Sequence, residues 1–163
     1  LNGQVDCVFV AGRLEHGRYH SLKAFSEQLV LVGSAPMTKM PSSQALLTSA
    51  FLAFRQGCSY RQRIELLLAS QGVNAGRIFE FGSLDAMLGC VAAGMGYTVL
   101  PRGTVEAHQH RFEIHTLELS TSIANIDTYF VAPKSETWTP ALASFAETLR
   151  DAVVVNEPQL NAS

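Results

Sequence analysis

The sequence predicts an α/β fold, because segments with the pattern of strands alternate with segments with the pattern of helices. The clearest segment runs from Phe79 to Arg102 and reads FEFGSLDAMLGCVAAGMGYTVLPR. A strand, a tight turn, a helix, a glycine stop and a second strand follow one another there, which is the order of a βαβ unit. A helical pattern over Ser59–Gln71 also follows an apolar strand at Phe51–Phe54. We therefore expect largely parallel sheets.

The first part of the chain predicts two strands joined by a polar segment. An apolar strand covers Val5–Val10, and a second strand covers Gln28–Val32. Ala11–Lys23, between them, is polar and is predicted to be a connector. Gly33–Pro36 has the residues of a turn and indicates the exit from a first lobe.

Two helices are predicted before the βαβ unit. Pro41–Ser43 has the pattern of a cap for a short helix that ends at Leu47. In Ser59–Gln71 apolar residues recur at helical spacing, and Gly72 ends the helix. Its predicted buried stripe is Ile64, Leu67 and Leu68, and its predicted exposed face is Arg61, Gln62 and Glu65.

The βαβ unit has a well-defined helix start. After the strand Arg77–Phe81, Ser83 is a natural N-cap, and Asp85 places negative charge where the helix dipole favours it. Backbone N–H groups at such a helix start can bind a small anion, although a well-capped βαβ unit without a ligand has the same pattern. The apolar stripe is Leu84, Met87, Leu88 and Val91, and Gly94 and Gly96 separate the helix from a strand at Tyr97–Leu100.

The last third of the chain predicts two more strands and a long helix. Thr139 and Pro140 give that helix a cap and a first-turn proline. The predicted segments are a polar loop or frayed helix at Glu106–Arg111, a strand at Phe112–Leu119, a crossing between lobes at Thr121–Asn125, a strand at Thr128–Ala132 and a helix at Ala141–Val153.

The composition excludes several classes of protein. The 163 residues carry a net charge of −2, whereas a surface that binds nucleic acid would be basic. No apolar run approaches the roughly 18 residues of a membrane span, so no membrane partner is expected. Three widely spaced cysteines fit a reducing compartment and predict a cytoplasmic protein. Cys58, at a helix start, is also a candidate redox-sensing thiol.

No motif of catalysis or metal binding is present. The sequence has no G-x-S-x-G elbow, no H-E-x-x-H and no phosphate-binding loop. His108 and His110 have metal-like spacing, but no cysteine or carboxylate nearby completes a tetrahedral set, so a polar surface loop is favoured. We therefore expect no enzymatic activity, no metal and no cofactor.

Two turns that open helices form the candidate binding site. One covers Gly57–Tyr60 and the other Phe81–Ser83. Ligands of open α/β sheets lie at the carboxyl ends of strands, and two helix N-termini there could hold a carboxylate. The hydroxyls of Ser59 and Ser83 would donate hydrogen bonds, and Arg55 or Arg61 could add charge. Each serine taken singly is more simply a plain N-cap, and Arg61 is more simply a solvated helix residue.

Four segments, in this order, resemble the effector-binding domain of LysR-type transcriptional regulators. The resemblance covers about residues 1 to 150. The segments are LNGQVDCVFV at residues 1–10, EQLVLV at 27–32, FRQGCSYR at 54–61 and the βαβ unit with its SLDAMLGCVAAG helix.

The resemblance implies a two-lobed, periplasmic-binding-protein-like fold of type 2. Lobe I would comprise residues 1–34 and 127–155 and lobe II residues 36–122, followed by a flexible tail at 156–163. The family's domain begins with a further strand, helix and strand that this sequence does not supply, so lobe I is expected to be N-terminally incomplete. The family's effector contacts map onto Arg55, Gly57, Cys58, Ser59, Tyr60, Phe81, Gly82 and Ser83.

The implied function is ligand sensing for transcription regulation. A small, anionic metabolite would bind between the lobes of a homo-oligomer, a dimer or, in the full-length protein, a tetramer. DNA would be bound only through a helix-turn-helix domain absent from this chain. Self-association is expected through the helix Ser83–Ala93, which is apolar over more than one face.

Two alternatives belong to other classes. A periplasmic-type solute-binding protein shares the two-lobed fold, and a secretory signal with a transporter partner would mark it. An enzyme acting on a small carboxylate would be revealed by turnover.

Overall fold

The structure is a computed structural model that describes residues 5–12, 17, 19–73 and 77–156, with side chains up to residue 152. The chain divides into two compact units, Leu1–Ser26 with Ile126–Ser163, and Glu27–Asn125. The first division lies inside a strand, whereas the sequence predicts it at the turn Gly33–Pro36.

The first unit is built around β7, at Asn125–Ala132. This strand lies between β1, at Val8–Ala11, and β2, at His20–Gly33, and it pairs antiparallel with β1. Phe130 and Ala132 of β7 form a buried cluster with Leu142 and Ala146 of the last helix. The elements that contribute to this unit are β1 at Val8–Ala11, the first part of β2 at His20–Gly33, β7 at Asn125–Ala132, a 3₁₀ turn at Ser135–Thr137 and α6 at Pro140–Asn156.

The second unit contains the remaining elements, including the predicted βαβ unit. They are α1 at Ser43–Thr48, β3 at Ala50–Ala53, α2 at Ser59–Ser70, β4 at Arg77–Glu80, α3 at Leu84–Ala92, β5 at Gly96–Pro101, α4 at Arg102–His108, β6 at His115–Glu118 and α5 at Thr121–Ala124. The strand order is β2-β5-β3-β4, and β6 pairs with β2.

The helices of the second unit bury the apolar stripes that the sequence predicts. Ile64, Leu67 and Leu68 of α2 are buried. Met87, Leu88 and Val91 of α3 are fully buried, and the half-buried side chain of Leu84 packs against the same cluster. At roughly 1.5 to 3 kcal/mol for each large side chain removed from water, these stripes are a main source of stability for the two helices.

The sheet is mixed, which corrects the expectation of largely parallel sheets. β3 runs parallel to β4 and β5, as the two βαβ connections require. β2 is antiparallel to both β5 and β6, and β1 is antiparallel to β7. The antiparallel strands pair with partners that are distant in the sequence. Local sequence patterns therefore predict only the parallel part of the sheet, which the βαβ connections form.

One other expectation is wrong. The connector predicted at Ala11–Lys23 contains the start of β2, whose first half alternates only weakly because its inward residues include Leu22 and Ala24 among polar neighbours. The polar loop or frayed helix predicted at Glu106–Arg111 overlaps the end of α4, which begins directly after Pro101 and ends at His108. The predicted tail lies outside the described residues except for Asn156, which ends α6.

Because glycine has no side chain, Gly96 allows β3 and β5 to approach closely enough to pair. Gly96 is opposite Ala50 in the parallel register, and a Cβ at this position would collide with the Ala50 carbonyl oxygen. Gly96 is expected between the helix and the strand, but it is the first residue of β5, and α3 ends at Ala92.

Candidate functional site

The two predicted turns lie side by side because they follow neighbouring parallel strands. Ala53 and Glu80, the last residues of β3 and β4, are opposite each other in the register. The backbone N–H of Phe81 donates to the Ala53 carbonyl over 2.8 Å, which extends the pairing one residue beyond β4. The start of α2 and the start of α3 are thereby held at one edge of the second unit.

The first turn is closed by its own backbone. Gly57 has a φ of 90°, a left-handed conformation that favours glycine, and the N–H of Cys58 donates to the Arg55 carbonyl over 3.2 Å. Cys58 is the N-cap of α2, and its side chain makes no capping hydrogen bond. A small, half-buried thiol therefore stands where a helix start usually has an oxygen.

The second turn has the cap that the sequence predicts. Ser83 Oγ accepts a hydrogen bond from the N–H of Ala86 over 3.5 Å, a long distance for such a bond. Asp85 lies in the first turn of α3, as predicted, and its carboxylate pairs with Arg111 over 2.9 Å. The negative charge near this helix start is therefore balanced by a cation from the segment after α4.

A cavity of about 630 Å³ lies between the two turns. This volume is within the range of small-molecule sites, roughly 300 to 1,000 Å³. It has two aromatic rings, one guanidinium and one carboxylate among its lining groups, so it offers apolar contact and both signs of charge. The lining residues are Phe54, Arg55, Cys58, Glu80, Phe81 and Gly82.

The structure separates the predicted site residues into two groups. Arg55, Cys58, Phe81 and Gly82 line the cavity. Gly57, Ser59, Tyr60 and Ser83 belong to the same turns and helix starts but do not line it in the described part of the chain. The role of each residue in binding stays a prediction.

Tyr60 does not line the cavity, and its side chain bonds a residue of β2 instead. Its hydroxyl donates to Glu27 Oε2 over 3.0 Å. Burial and the hydrogen bond to Glu27 raise the pKa of Tyr60 above its usual value. The phenol therefore holds its proton to a higher pH than an exposed tyrosine does, and its hydrogen bond to Glu27 connects the first turn of α2 to the sheet.

Glu80 is a lining residue that the sequence analysis misses. Its Oε2 lies 3.5 Å from Nη1 of Arg61, and Arg61 Nε also lies 3.3 Å from Glu65 Oε1. Arg61 is thus a partly buried ion-pair residue rather than the solvated residue expected. The sequence feature that could have identified Glu80 as a lining residue is its position as the last strand residue before a turn that opens a helix.

A second concavity of about 440 Å³ lies at the amino ends of the same strands. Its lining includes Arg77 and Phe79 of β4 and Tyr97 of β5. Ligands of open α/β sheets bind at the carboxyl ends of strands, so the cavity at the carboxyl ends is the stronger candidate.

The described residues contain no group of three histidine, cysteine or acidic side chains that could hold a metal ion. His108 lies in the last turn of α4, with Nδ1 2.8 Å from the Thr104 carbonyl oxygen. Cys7, Cys58 and Cys90 are free, half-buried thiols. Within the described part of the chain, no helix is long and apolar enough to cross a bilayer.

The fold and the cavity define an α/β ligand-binding domain. The family described as "LysR substrate binding domain" matches residues 1–154. The chain therefore belongs to the LysR substrate-binding domain family, and it is an effector-binding, ligand-sensing domain of that type.

Curated relatives agree with this assignment. The HTH-type transcriptional regulator GltR of Bacillus subtilis (strain 168) is 34% identical over 158 residues, which is 97% of this chain and 53% of the relative. The HTH-type transcriptional regulator SoxR of Arthrobacter sp. (strain TE1826) is 32% identical over 152 residues, which is 93% of this chain and 52% of the relative. The chain thus spans about half the length of the curated relatives that it matches.

Solved structures show the fold. The Synechocystis PCC6803 CcmR regulatory domain in complex with 2-PG has a TM-score of 0.76 at 23% identity, covering 96% of this chain and 77% of that one. The effector binding domain of QuiR in complex with shikimate has a TM-score of 0.75 at 19% identity, and the match covers 96% of this chain and 76% of that one. The predicted periplasmic-binding-protein-like fold of type 2 is confirmed by this likeness.

Proposed function

We propose that this chain senses a small, charged metabolite for a DNA-binding transcriptional regulator, and that the metabolite binds in the cavity at the carboxyl ends of β3 and β4. The observation that carries the proposal is the cavity itself, with Arg55 and Phe81 among its lining residues. The relatives are named as HTH-type regulators, so DNA would be bound by a helix-turn-helix outside this chain.

The effector acts by differential affinity. A ligand shifts a conformational equilibrium only if it binds one conformation more tightly than the other. The cavity suits this role because its wall comes from two loops and from the ends of two strands rather than from one element. A ligand that contacts both loops stabilises the conformation in which they have this spacing.

No catalytic activity is proposed, because the function of the relatives is regulation and ligand binding is sufficient for it. A cytoplasmic location follows from the same function, since a transcription regulator acts where DNA is. A secreted solute-binding protein is the alternative that shares the fold, but its relatives would not carry an HTH-type name.

The protein is proposed to act as a homo-oligomer. Self-association through the helix Ser83–Ala93 is expected because Met87, Cys90, Val91, Ala92 and Ala93 spread apolar or small character over more than one face. Met87 and Val91 are fully buried within the second unit, whereas Cys90 and Ala92 are half-buried and Ala93 is exposed. Further support is that β4 is the last strand in the sheet order and that Phe79 on it is 39% exposed. An edge strand with an exposed ring can pair with a second copy.

The site is tested by blocking the cavity. Gly82 lines it, and a Cβ built on Gly82 meets no atom within 4 Å, so Gly82→Trp introduces bulk without a backbone clash. Gly103 in α4 has the same open surroundings and gives the matched control Gly103→Trp. Both variants should fold with similar thermal midpoints.

The complete protein is screened against a panel of organic acids and amino acids, and the measurement is the rise in Tm that each compound causes. A compound that raises the Tm of the wild type and of Gly103→Trp should have no effect on Gly82→Trp. An undiminished rise in Gly82→Trp would show that the ligand binds elsewhere. The same compound should change the affinity of the complete protein for its promoter DNA.

A further inference from the structure

The charged lining of the cavity has both signs. Arg55 contributes an exposed guanidinium, and Glu80 contributes a carboxylate that is 57% exposed. The two residues come from different loops and strands, so the cavity is not simply a positive pocket for an anion.

The charge of Glu80 is only partly balanced within the protein. Arg61 lies 3.5 Å from Glu80 and 3.3 Å from Glu65, so one guanidinium serves two carboxylates. The three side chains together carry a net charge of −1 at neutral pH. This excess negative charge lies on the wall of the cavity, because Glu80 is the member of the group that lines it.

A simple anion does not suit this arrangement. Its carboxylate would gain from Arg55 and the helix starts but would be repelled by Glu80. A ligand with a cationic group near its carboxylate satisfies Arg55 and Glu80 together. The two phenylalanine rings, Phe54 and Phe81, then remain available for an apolar body, since both pack beside the core with one part exposed.

We propose that the ligand of this cavity is a zwitterion of the amino-acid class, with its carboxylate towards Arg55 and the turns, its ammonium towards Glu80 and an apolar side chain between the rings. This inference rests on the proposed function of the same site. It replaces the expected anionic metabolite by a ligand of near-zero net charge.

The test compares matched ligands on the complete protein. The probes are the proteinogenic amino acids and, for each apolar one, the carboxylate that lacks the α-amine, for example L-leucine with 4-methylpentanoate and L-phenylalanine with 3-phenylpropanoate. Titration calorimetry should find at least one amino acid that binds ten-fold or more tightly than its matched carboxylate. Glu80→Gln should weaken that amino acid about ten-fold and leave the carboxylate unchanged or slightly tighter.

The control is Glu106→Gln, which removes one negative charge from an exposed position of α4 outside the cavity and should change neither affinity. If the carboxylates bind as tightly as the amino acids, or if no amino acid binds, the inference is wrong. The proposed function survives that outcome when a carboxylate binds and Gly82→Trp abolishes its binding. Amino-acid binding that persists in Gly82→Trp would overturn both.

Discussion

Tyr60 and Glu27 are joined by a hydrogen bond in which the phenol donates to the carboxylate Oε2 over 3.0 Å. Tyr60 lies in the first turn of α2, directly after the loop that lines the cavity, and Glu27 lies on β2. Because the bond connects positions 33 apart in the chain, it fixes the start of α2 by a contact that no local pattern encodes.

Removing this bond should destabilise the protein moderately. Tyr60→Phe deletes the donor and leaves the partly buried carboxylate of Glu27 with one partner fewer, so we expect a loss of about 1 to 2 kcal/mol in the free energy of unfolding. Urea denaturation at neutral pH measures it. Tyr129→Phe is the control, since the Tyr129 hydroxyl has no hydrogen bond among the residues described, and a loss of equal size there would contradict the assignment.

The same bond should give the protein a distinctive response to alkali. Burial and the hydrogen bond to Glu27 raise the pKa of Tyr60, so the folded state keeps a proton that the unfolded state releases above about pH 10. The contribution of Tyr60 is therefore fully present below that pH and declines as the pH rises further. The difference in unfolding free energy between wild type and Tyr60→Phe should be constant from pH 7 to about pH 9 and should shrink above pH 10. A difference that grows with pH would have the wrong sign.

Asp127 should give the opposite response in acid. A hydrogen bond from Ser26 over 2.7 Å, and then Lys23 at 3.0 Å, hold the pKa of Asp127 below its usual value. The contribution of Asp127 is therefore present above the pKa of an unfolded aspartate, about 3.9, and is lost as the pH falls through the lower value of the folded state. Between about pH 5 and pH 2 the wild type should lose more stability than Asp127→Asn. Parallel curves for the two proteins would exclude the pairing as a source of stability.

Gly96→Ala should be severely destabilising, because its Cβ would occupy the space of the Ala50 carbonyl oxygen in the β3–β5 pairing. We expect a loss of roughly 3 kcal/mol or more, or no folded protein. Gly103→Ala is the matched control, because its Cβ meets open space on α4 and alanine favours a helix by up to about 1 kcal/mol. Thermal unfolding followed by circular dichroism distinguishes the two, and equal Tm values would refute the close approach.

The sequence predicts those parts of the fold in which local chemistry and tertiary structure agree. The stripes of α2 and α3 and the cap at Ser83 could be predicted because spacing and residue type alone determine them. The first half of β2 could not, because Leu22 is its one large aliphatic inward residue and stands among small and polar neighbours, so no clear alternation marks a strand. Glu80 was missed for a related reason, since it lines the cavity only because β3 and β4 have one particular register.

The register that sets Ala53 opposite Glu80 has a consequence for how such a domain can diverge. The strands hold the spacing of the two loops, while the loops supply most of the groups that a ligand would meet. Substitutions at Arg55 or Gly82 can therefore alter ligand preference without disturbing the buried residues that keep the chain folded. A one-residue insertion within β4 would instead turn Glu80 to the other face of the sheet. A change in ligand preference obtained in this way would also disrupt the packing of the fold.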